Sequence, residues 1–245
     1  MLKFLSALAL ASFAVGALLA LIVTMNTPAY GGLHSDATVV KVSLLPNGHG
    51  TGVYIGNGKV LTAAHVAKEG VNAGFTVKDA RGAEVHAVVL WFNEVADVGL
   101  LKLDGPFIDK DGVVDVLPAA KLACDTPDVK IGDYVETIGY PLALDRIHTW
   151  GHVASDISPR EAGQLNFLTD LTIAPGNSGG PLFDINGKLA GITVAMSLAP
   201  INAGFGVIPS FVMLTYVIPK SVICQELAAE HAAPVKAEPT TEGTP

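Results

Sequence analysis

Short runs of apolar and β-branched residues fill the middle of the chain, about residues 37–220, and Gly, Asn, Asp and Pro separate them. They read TVVKVSLL, GVYIG, KVLTAAHV, EVHAVVLWF, VGLLKL, YVETIGY, NFLTDL, PLFDI, KLAGITVAM and FGVIPS. Such runs are typical of strands, and their close spacing is typical of an all-β sandwich or barrel. Later in the chain, Ser210–Val222 and Cys224–His231 have helical character. A break rich in Asp, Gly and Pro at 104–117 predicts two halves, 37–117 and 118–220.

The N-terminal 29 residues have a different pattern. Residues 4–25 form an uncharged apolar run of 22 residues, which as a helix is about 33 Å long and spans a bilayer core. Lys3 precedes the run and the next basic residue is Lys41, so the charge bias predicts an N-terminus in the cytoplasm. An uncleaved membrane anchor and a cleaved secretory signal both fit residues 1–29. Both place the following domain outside the cytoplasm, in the periplasm or the extracellular space.

The flanks of the predicted domain carry little apolar surface. Residues 30–36 are interpreted as a linker. The domain is predicted to occupy residues 37–224, and residues 225–245 to form a disordered tail, because the chain ends in AAPVKAEPTTEGTP, which cannot bury a core.

Composition narrows the function classes. The 245 residues carry a net charge of −8 and no block of Lys and Arg, which argues against a nucleic-acid partner. The two cysteines, Cys124 and Cys224, have no neighbouring Cys or His at metal-ligand spacing, so neither a zinc site nor another metal is predicted. They form either a disulfide or two buried thiols. No organic cofactor is predicted.

The strongest candidate chemistry lies in Pro175-Gly176-Asn177-Ser178-Gly179-Gly180-Pro181, between two predicted strands. A serine hydroxyl is a weak nucleophile unless a constrained turn presents it beside a base. Glycines on both sides allow backbone conformations closed to other residues, and they let N–H groups converge where an oxyanion would form. Taken alone, the same residues also fit a plain β-turn.

Two further segments complete the pattern. His65 follows the strand-like KVLTAA, and Asp97 directly precedes the strand-like VGLLKL. Each is weak evidence alone, because a single His near apolar residues or a single Asp before a strand is usually structural. Together with Ser178 they supply the base, the orienting carboxylate and the nucleophile of a triad. The remaining candidates His49, His86, His148 and His152 are interpreted as surface or structural residues.

The chain order His65, Asp97, Ser178 is that of the chymotrypsin fold. TAAH, ADVGLLKL and GNSGGP resemble the three triad motifs of trypsin-like proteases. The chain is most similar in motif pattern to the HtrA/Deg protease domain, through GTGVYIGNGKVLTAAHV, IGDYVETIGYPLAL, LTDLTIAPGNSGGPLFDINGKLAGITVAM and AGFGVIPS. This resemblance covers about residues 38–212. It implies two antiparallel β-barrels with the active site in the cleft between them, preceded by an N-terminal hydrophobic helix.

The sequence departs from the family pattern at two points, and there the properties of the family cannot be expected of this chain. The residues after Ser210 are too few for a PDZ domain, so the oligomeric state that such domains support is left open. Many trypsin-like zymogens have, at the position of Asn177, an Asp that pairs with a newly cut N-terminus. The resemblance therefore implies that activation by cleavage is not expected here.

The resemblance also identifies candidate substrate-binding residues. Thr172 takes the position, six residues before the serine, where proteases that cut after Lys or Arg carry an Asp. Thr172 and Ile173 at the base, with Val194 and Ala195 as wall, imply cleavage after small or medium apolar residues. Asp170 is a rival base, although it also matches a structural Thr-Asp pair of HtrA-like sequences.

The predicted function is hydrolysis of peptide bonds through an acyl-enzyme, with the N–H groups of Gly176 and Ser178 as oxyanion hole. Predicted partners are protein or peptide substrates, and the membrane through residues 4–25. An alternative is a catalytically silent, membrane-tethered peptide-binding module of the same fold. Retention of all three triad residues disfavours this alternative. An α/β-hydrolase esterase is excluded, because it requires Gly-x-Ser-x-Gly and the order Ser, Asp, His.

Overall fold

The computed structural model describes residues 36–44, 48–160, 163–202 and 207–229. The anchor or signal predicted for residues 1–29, the linker apart from Asp36, and residues 230–245 lie outside these ranges. Within the described ranges, no helix is both long and apolar enough to cross a membrane.

Six antiparallel strands of the first half close into a barrel in the order β1-β2-β3-β6-β5-β4. They are β1 Val39–Ser43, β2 His49–Gly56, β3 Lys59–Thr62, β4 Phe75–Lys78, β5 Glu84–Asn93 and β6 Val98–Leu103. A short helix, α1 Ala64–Glu69, connects β3 to β4. Side chains of alternate strand residues fill the barrel with a buried cluster, among them Val40, Val42, Val60, Phe75, Val77 and Leu101.

The second half is a curled seven-stranded sheet in the order β10-β9-β13-β14-β15-β12-β11. After a small hairpin of β7 Phe107–Ile108 and β8 Val114–Asp115, its strands are β9 Tyr134–Gly139, β10 Ile147–His152, β11 Ser158–Pro159, β12 Leu165–Thr169, β13 Pro181–Asp184, β14 Leu189–Asn202 and β15 Val207–Pro219. One antiparallel bridge, Val153 to Thr169, joins the flanks of the sheet. The chain continues into helix α2, Lys220–Ala229.

The all-β fold class is confirmed, with one closed barrel and a seven-stranded sheet where two barrels were predicted. Two further details of the sequence prediction are wrong. Ser210–Val222 was expected to have helical character, but β15 runs to Pro219. Tyr216 pairs with Leu168 on one side and Ala195 on the other, and the adjacent Val217 and Ile218 have no exposed surface. This part of β15 is therefore an interior strand with two buried faces, a pattern that periodicity does not distinguish from a helix. Residues 225–229, predicted to be disordered, belong to α2, which packs against the core through Val222, Ile223 and Leu227.

A second apolar cluster lies between the two halves. Val53, Leu61 and Leu100 of the barrel pack with residues of the second sheet such as Ile138, Ile192 and Ile218. All six of these side chains have no exposed surface. Because close-packed interiors deform little, loops carried by opposite halves are held in fixed relative positions.

Cys124 and Cys224 form a disulfide, which decides between the two states that the sequence left open. Their Cα atoms are 5.7 Å apart. The bond joins the connection between the halves to α2, and therefore anchors the C-terminal helix covalently.

Replacement of both cysteines by serine (Cys124→Ser and Cys224→Ser) should lower the free energy of unfolding by about 2–5 kcal/mol, because the unfolded chain gains entropy once the loop is open. The loop spans 100 residues. Urea unfolding without reductant measures the change. Added reductant should shift the wild-type midpoint to that of the variant and leave the variant unchanged. Equal midpoints for the oxidised wild type and the variant would contradict the expectation.

Candidate active site

Ser178 lies in a tight turn between β12 and β13. The N–H of Asn177 donates to the carbonyl of Ala174 at 3.0 Å, and Gly176 within this turn has φ +104°. Gly179 has φ +82°, and a side chain there would collide with the Thr62 hydroxyl and the backbone of Thr51. The glycines on both sides of the serine are therefore required by backbone conformation and by close packing.

Buried threonines fasten this turn to both halves of the molecule. Thr51 of β2 donates its hydroxyl to the Gly176 carbonyl at 2.7 Å and accepts from the Tyr140 N–H at 3.1 Å. From the other side, Thr193 of β14 donates to the Asn177 carbonyl at 3.0 Å. Thr51 and Thr193 have no exposed surface, so these hydrogen bonds are shielded from water.

Main-chain bonds add to this attachment. The Thr51 N–H donates to the Ser178 carbonyl at 2.9 Å, and the Gly179 N–H donates to the Thr193 carbonyl at 2.8 Å. Thr62 of β3 supports Thr51 by donating its hydroxyl to the Thr51 carbonyl at 2.8 Å. The serine position is thus determined jointly by the barrel and by the second sheet.

The half-buried side chain of Ser178 donates its hydroxyl to the carbonyl of Val194 at 3.3 Å. Within the described part of the chain, no acceptor pairs with the backbone N–H of Gly176 or of Ser178. Two backbone donors near the serine therefore have no partner among these residues.

His65 and Asp97 are directly hydrogen-bonded. Nδ1 of His65 is 3.0 Å from both carboxylate oxygens of Asp97, and Oδ1 also accepts the His65 backbone N–H at 3.0 Å. The side chain of Asp97 is 14% exposed and that of His65 48% exposed. The carboxylate is thus largely shielded, while the imidazole faces solvent.

The same carboxylate stabilises the start of α1. The residue before this helix is Ala63, which has extended dihedrals and no side-chain acceptor for the free N–H groups of the first turn. Asp97 supplies that acceptor from another strand connection, and its negative charge lies at the helix N-terminus. One side chain therefore both orients the imidazole and caps the helix that carries it.

His65 and Ser178 line a single cavity of about 340 Å³, together with Gly176. The other lining residues are Val42, Leu44, Gly48, His49, Gly50, Val66, Glu69, Phe75 and Pro175. Two of the three predicted triad residues therefore meet at one surface, and the third lies behind the imidazole.

His49 was interpreted from the sequence as surface or structural, yet it lines this cavity. Its Nε2 lies 2.8 Å from the Tyr140 carbonyl and 3.1 Å from the Ala143 N–H, and a side chain at Gly176 would collide with it. The signal in the sequence was its position directly before the Gly-Thr-Gly of β2.

The predicted substrate-binding residues do not line this cavity. Thr172 is exposed, and Ile173 and Ala195 are half-buried. Val194 is 4% exposed and packs in the cluster between the halves, so it meets Ser178 through its backbone. The rival residue Asp170 accepts the His152 N–H through Oδ1, which is a structural contact.

Tyr140, whose backbone N–H donates to Thr51 beside the serine turn, has a shifted pKa. Burial raises the pKa of the Tyr140 phenol above its usual value, and nearby Arg146 partly opposes this effect. The phenol is therefore neutral at physiological pH. Among the described residues, no group of three or more His, Cys, Asp and Glu side chains is arranged to hold a metal ion.

The sequence is similar to those of known peptidases. A family model described as a trypsin-like peptidase domain matches residues 50–192. A Halomonas elongata protein named as a probable periplasmic serine endoprotease, DegP-like, is 34% identical over 138 residues, covering 56% of this chain and 27% of the relative. Protease Do-like 1, chloroplastic, of Arabidopsis thaliana is 32% identical over 182 residues, covering 71% of this chain and 39% of the relative. The chain thus spans less than two-fifths of these relatives.

Solved structures agree on the fold. The serine endoprotease from Yersinia pestis superposes with a TM-score of 0.64 at 23% identity, covering 84% of this chain and 66% of that one. An HtrA-type protease solved with a tripeptide gives 0.65 at 23% identity, covering 83% and 63%. At this level of identity the likeness establishes the shared fold.

Replacement of Asp97 separates its capping role from its charge. Asp97→Ala removes the acceptor for the His65 N–H and should lower the free energy of unfolding by about 0.5–2 kcal/mol. Asp97→Asn keeps a side-chain oxygen and should cost less than Asp97→Ala. Denaturant unfolding of both variants measures the difference. Equal losses for the two variants would show that the cap contributes nothing.

Proposed function

We propose that this chain, which belongs to the trypsin-like peptidase family, is a serine endopeptidase with Ser178 as nucleophile. The observation that carries the proposal is the pairing of the His65 imidazole with Asp97 on the wall of the cavity that Ser178 also lines. A serine turn, an exposed imidazole and a shielded carboxylate are the three groups that acyl transfer through a triad requires.

In the proposed mechanism, Ser178 attacks the carbonyl carbon of a peptide bond. His65 accepts the serine proton through Nε2 and later donates it to the leaving amine. Asp97 occupies Nδ1, which fixes the tautomer with the basic Nε2 on the other side of the ring and stabilises the imidazolium. Water then releases the acyl group by the same proton transfers in reverse.

The oxyanion of the tetrahedral intermediate is assigned to the N–H groups of Gly176 and Ser178. Support comes from the absence of an acceptor for either group within the described residues. The turn that carries them is held by shielded bonds to Thr51 and Thr193, so little reorganisation is needed when charge develops. A donor of this kind contributes about 3–4 kcal/mol to transition-state stabilisation.

Protein or peptide substrates with a small or medium apolar residue before the cut bond are proposed. The support is the neutral side chain at Thr172 and the partly buried apolar residues Ile173 and Ala195. The Val194 side chain packs in the core, so Val194 faces Ser178 through its backbone alone. A charged side chain without a partner in such a site would cost several kcal/mol, whereas burying Val or Leu gains about 1.5–3 kcal/mol.

One observation favours the alternative of a silent peptide-binding module. The Ser178 hydroxyl donates to the Val194 carbonyl, and this bond must break before the serine proton can pass to His65. In enzymes without substrate, catalytic hydrogen bonds are often long and form only on binding, so the resting geometry is also compatible with catalysis.

The protease domain is proposed to lie outside the cytoplasm, carried there by residues 4–25 as anchor or as cleaved signal. The disulfide between Cys124 and Cys224 supports an oxidising compartment, and the Halomonas relative is named periplasmic. A reporter enzyme that works only in the cytoplasm, fused after Pro245, should be inactive; its activity would exclude this placement.

Removal of the triad residues should abolish hydrolysis. Ser178→Ala or His65→Ala should lower kcat on an unfolded substrate such as casein by about 10⁶-fold. Asp97→Asn should lower it by about 10⁴-fold, because the imidazole is then held in the wrong tautomer. A fluorophosphonate should label the wild type and not Ser178→Ala. Wild-type labelling of Ser178→Ala would refute the nucleophile, and absence of labelling in the wild type would favour the binding module.

Thr172→Asp tests the specificity pocket. The wild type should prefer Val, Ala or Leu over Lys or Arg before the cut bond, with only about 10–200-fold discrimination between Val and Leu. Thr172 lies outside the cavity that Ser178 lines, so the variant tests whether position 172 reaches the substrate. It should lose activity after Val and gain activity after Lys or Arg, because the new carboxylate supplies a counter-charge for a basic side chain. A peptide-library profile of each protein measures this, with Thr172→Ser as the matched neutral control. A wild-type profile dominated by Arg or Lys would restore Asp170 as the base.

A further inference from the structure

The turn that presents Asp97 is built on the side chain of Asn93. Asn93 ends β5 and pairs with Val98, the first residue of β6. Its Oδ1 accepts the N–H groups of Val95 at 2.9 Å and of Ala96 at 3.2 Å. The next residue, Asp97, has φ +53°, a left-handed conformation that is uncommon for residues with a side chain, although Asp adopts it more readily than most.

The other end of the Asn93 amide is fixed by the C-terminal helix. Its Nδ2 donates to Oε2 of Glu226 at 3.0 Å in a partly buried contact. A carboxylate only accepts hydrogen bonds, and the backbone N–H groups of the turn only donate. The two partners therefore impose the same orientation of the amide, and a flipped amide would lose all three bonds.

Helix α2 holds Glu226 firmly in this position. Val222 and Ile223 are buried in the cluster between the halves, and Cys224 is bonded to Cys124. At the start of the helix, Nζ of Lys220 donates to the Thr126 hydroxyl and the Pro127 carbonyl, each at 2.8 Å.

We propose that Glu226 is a positioning residue for Asp97, acting through Asn93. The proposal rests on the proposed function, in which Asp97 orients His65. Without the carboxylate of Glu226, the Asn93 amide keeps only the two turn N–H groups as partners and is held at one end alone. The turn then departs from the left-handed conformation at Asp97. The carboxylate of Asp97 then no longer stays aligned with Nδ1 of His65.

A second tie between this turn and α1 does not replace Glu226. Lys68 pairs with Glu94 at 2.7 Å, but both side chains are more than half exposed. An exposed ion pair holds a loop weakly and is screened by salt. The partly buried bond between Asn93 and Glu226 therefore holds this turn more firmly than the ion pair does.

The test uses the full chain and four variants at position 226 or beside it. Glu226→Ala removes the acceptor, Glu226→Gln keeps one, and Gln225→Ala truncates an exposed neighbour on the same helix. Glu226→Leu also lacks the acceptor while favouring the helix and the adjacent apolar cluster, so it replaces Glu226→Ala if that variant does not fold. Thermal unfolding identifies the variants whose stability is unchanged.

We expect Glu226→Ala and Glu226→Leu to lower kcat roughly tenfold to a hundredfold, as small displacements of catalytic groups do. KM should stay within about twofold, because no substrate-binding group is changed. Glu226→Gln should recover most of the activity, and Gln225→Ala should match the wild type. In an Asn93→Ala background, Glu226→Ala should cause no further loss of kcat, because both substitutions break the same contact. If Glu226→Ala acted only by lowering stability, its effect would add to that of Asn93→Ala.

A measurement without turnover separates this proposal from the proposed function. The low-field proton NMR signal of the His65 Nδ1–H bonded to Asp97 should broaden or vanish in Glu226→Ala and persist in Glu226→Gln and Gln225→Ala. Inertness of the wild type toward fluorophosphonate would defeat the proposed function, and the NMR signal would still decide the role of Glu226. A wild-type signal in Glu226→Ala, or an undiminished kcat, would overturn the positioning role.

Discussion

The apolar core between the two halves is the constraint on which the rest of the structure depends. His65 and Asp97 belong to the barrel, and Ser178 belongs to the second sheet, so the site exists only while the halves stay in register. A buried and close-packed cluster resists the relative sliding that would separate these groups. The core restricts the distance between the barrel and the turn that carries Ser178. The hydrogen bonds from Thr51 to that turn then fix this distance.

The hydrogen bonds of the buried threonines around the candidate site follow from the same burial. Thr51, Thr62 and Thr193 have no exposed surface, and each satisfies its hydroxyl within the protein, where leaving it unpaired would be costly. At Thr51, Thr62 and Thr193 the available acceptors are backbone carbonyls of the serine turn or of a strand beside it. A different backbone conformation of the turn would leave these hydroxyl groups without acceptors, and this penalty favours the conformation that the structure has.

Much of the fold and of the candidate site was predictable because both depend on sequence patterns within short segments. The strand-like VGLLKL coincides with β6, and the glycines around Ser178 occur where positive φ and close packing require them. The cavity brings His65 and Ser178 together as the three motifs implied. The identity of β15 was not predictable from periodicity, because a strand buried on both faces has no polar side.

Contacts between segments that are far apart in the sequence are not indicated by any local sequence pattern. Nothing near Asn93 indicates Glu226, which lies 133 residues later and meets it only after α2 has packed against the core. The choice between a disulfide and two thiols also required the fold, since the sequence gives spacing but no distance between Cys124 and Cys224. The residue type of His49 does not reveal that it lines the cavity, and only its position at the start of β2 indicates this.

Asn177, the residue before Ser178, shows how burial restricts which side-chain charge this turn can carry. Asn177 is 4% exposed, and its Oδ1 has no hydrogen-bond partner among the described residues. A neutral amide tolerates one unpaired oxygen at modest cost, whereas a carboxylate in the same place would bury a charge without a counter-ion. An Asp at this position would therefore depend on a cation brought from elsewhere, such as a newly formed N-terminus. With Asn177, the turn that carries Ser178 forms without that partner, because its backbone is already held by Thr51 and Thr193.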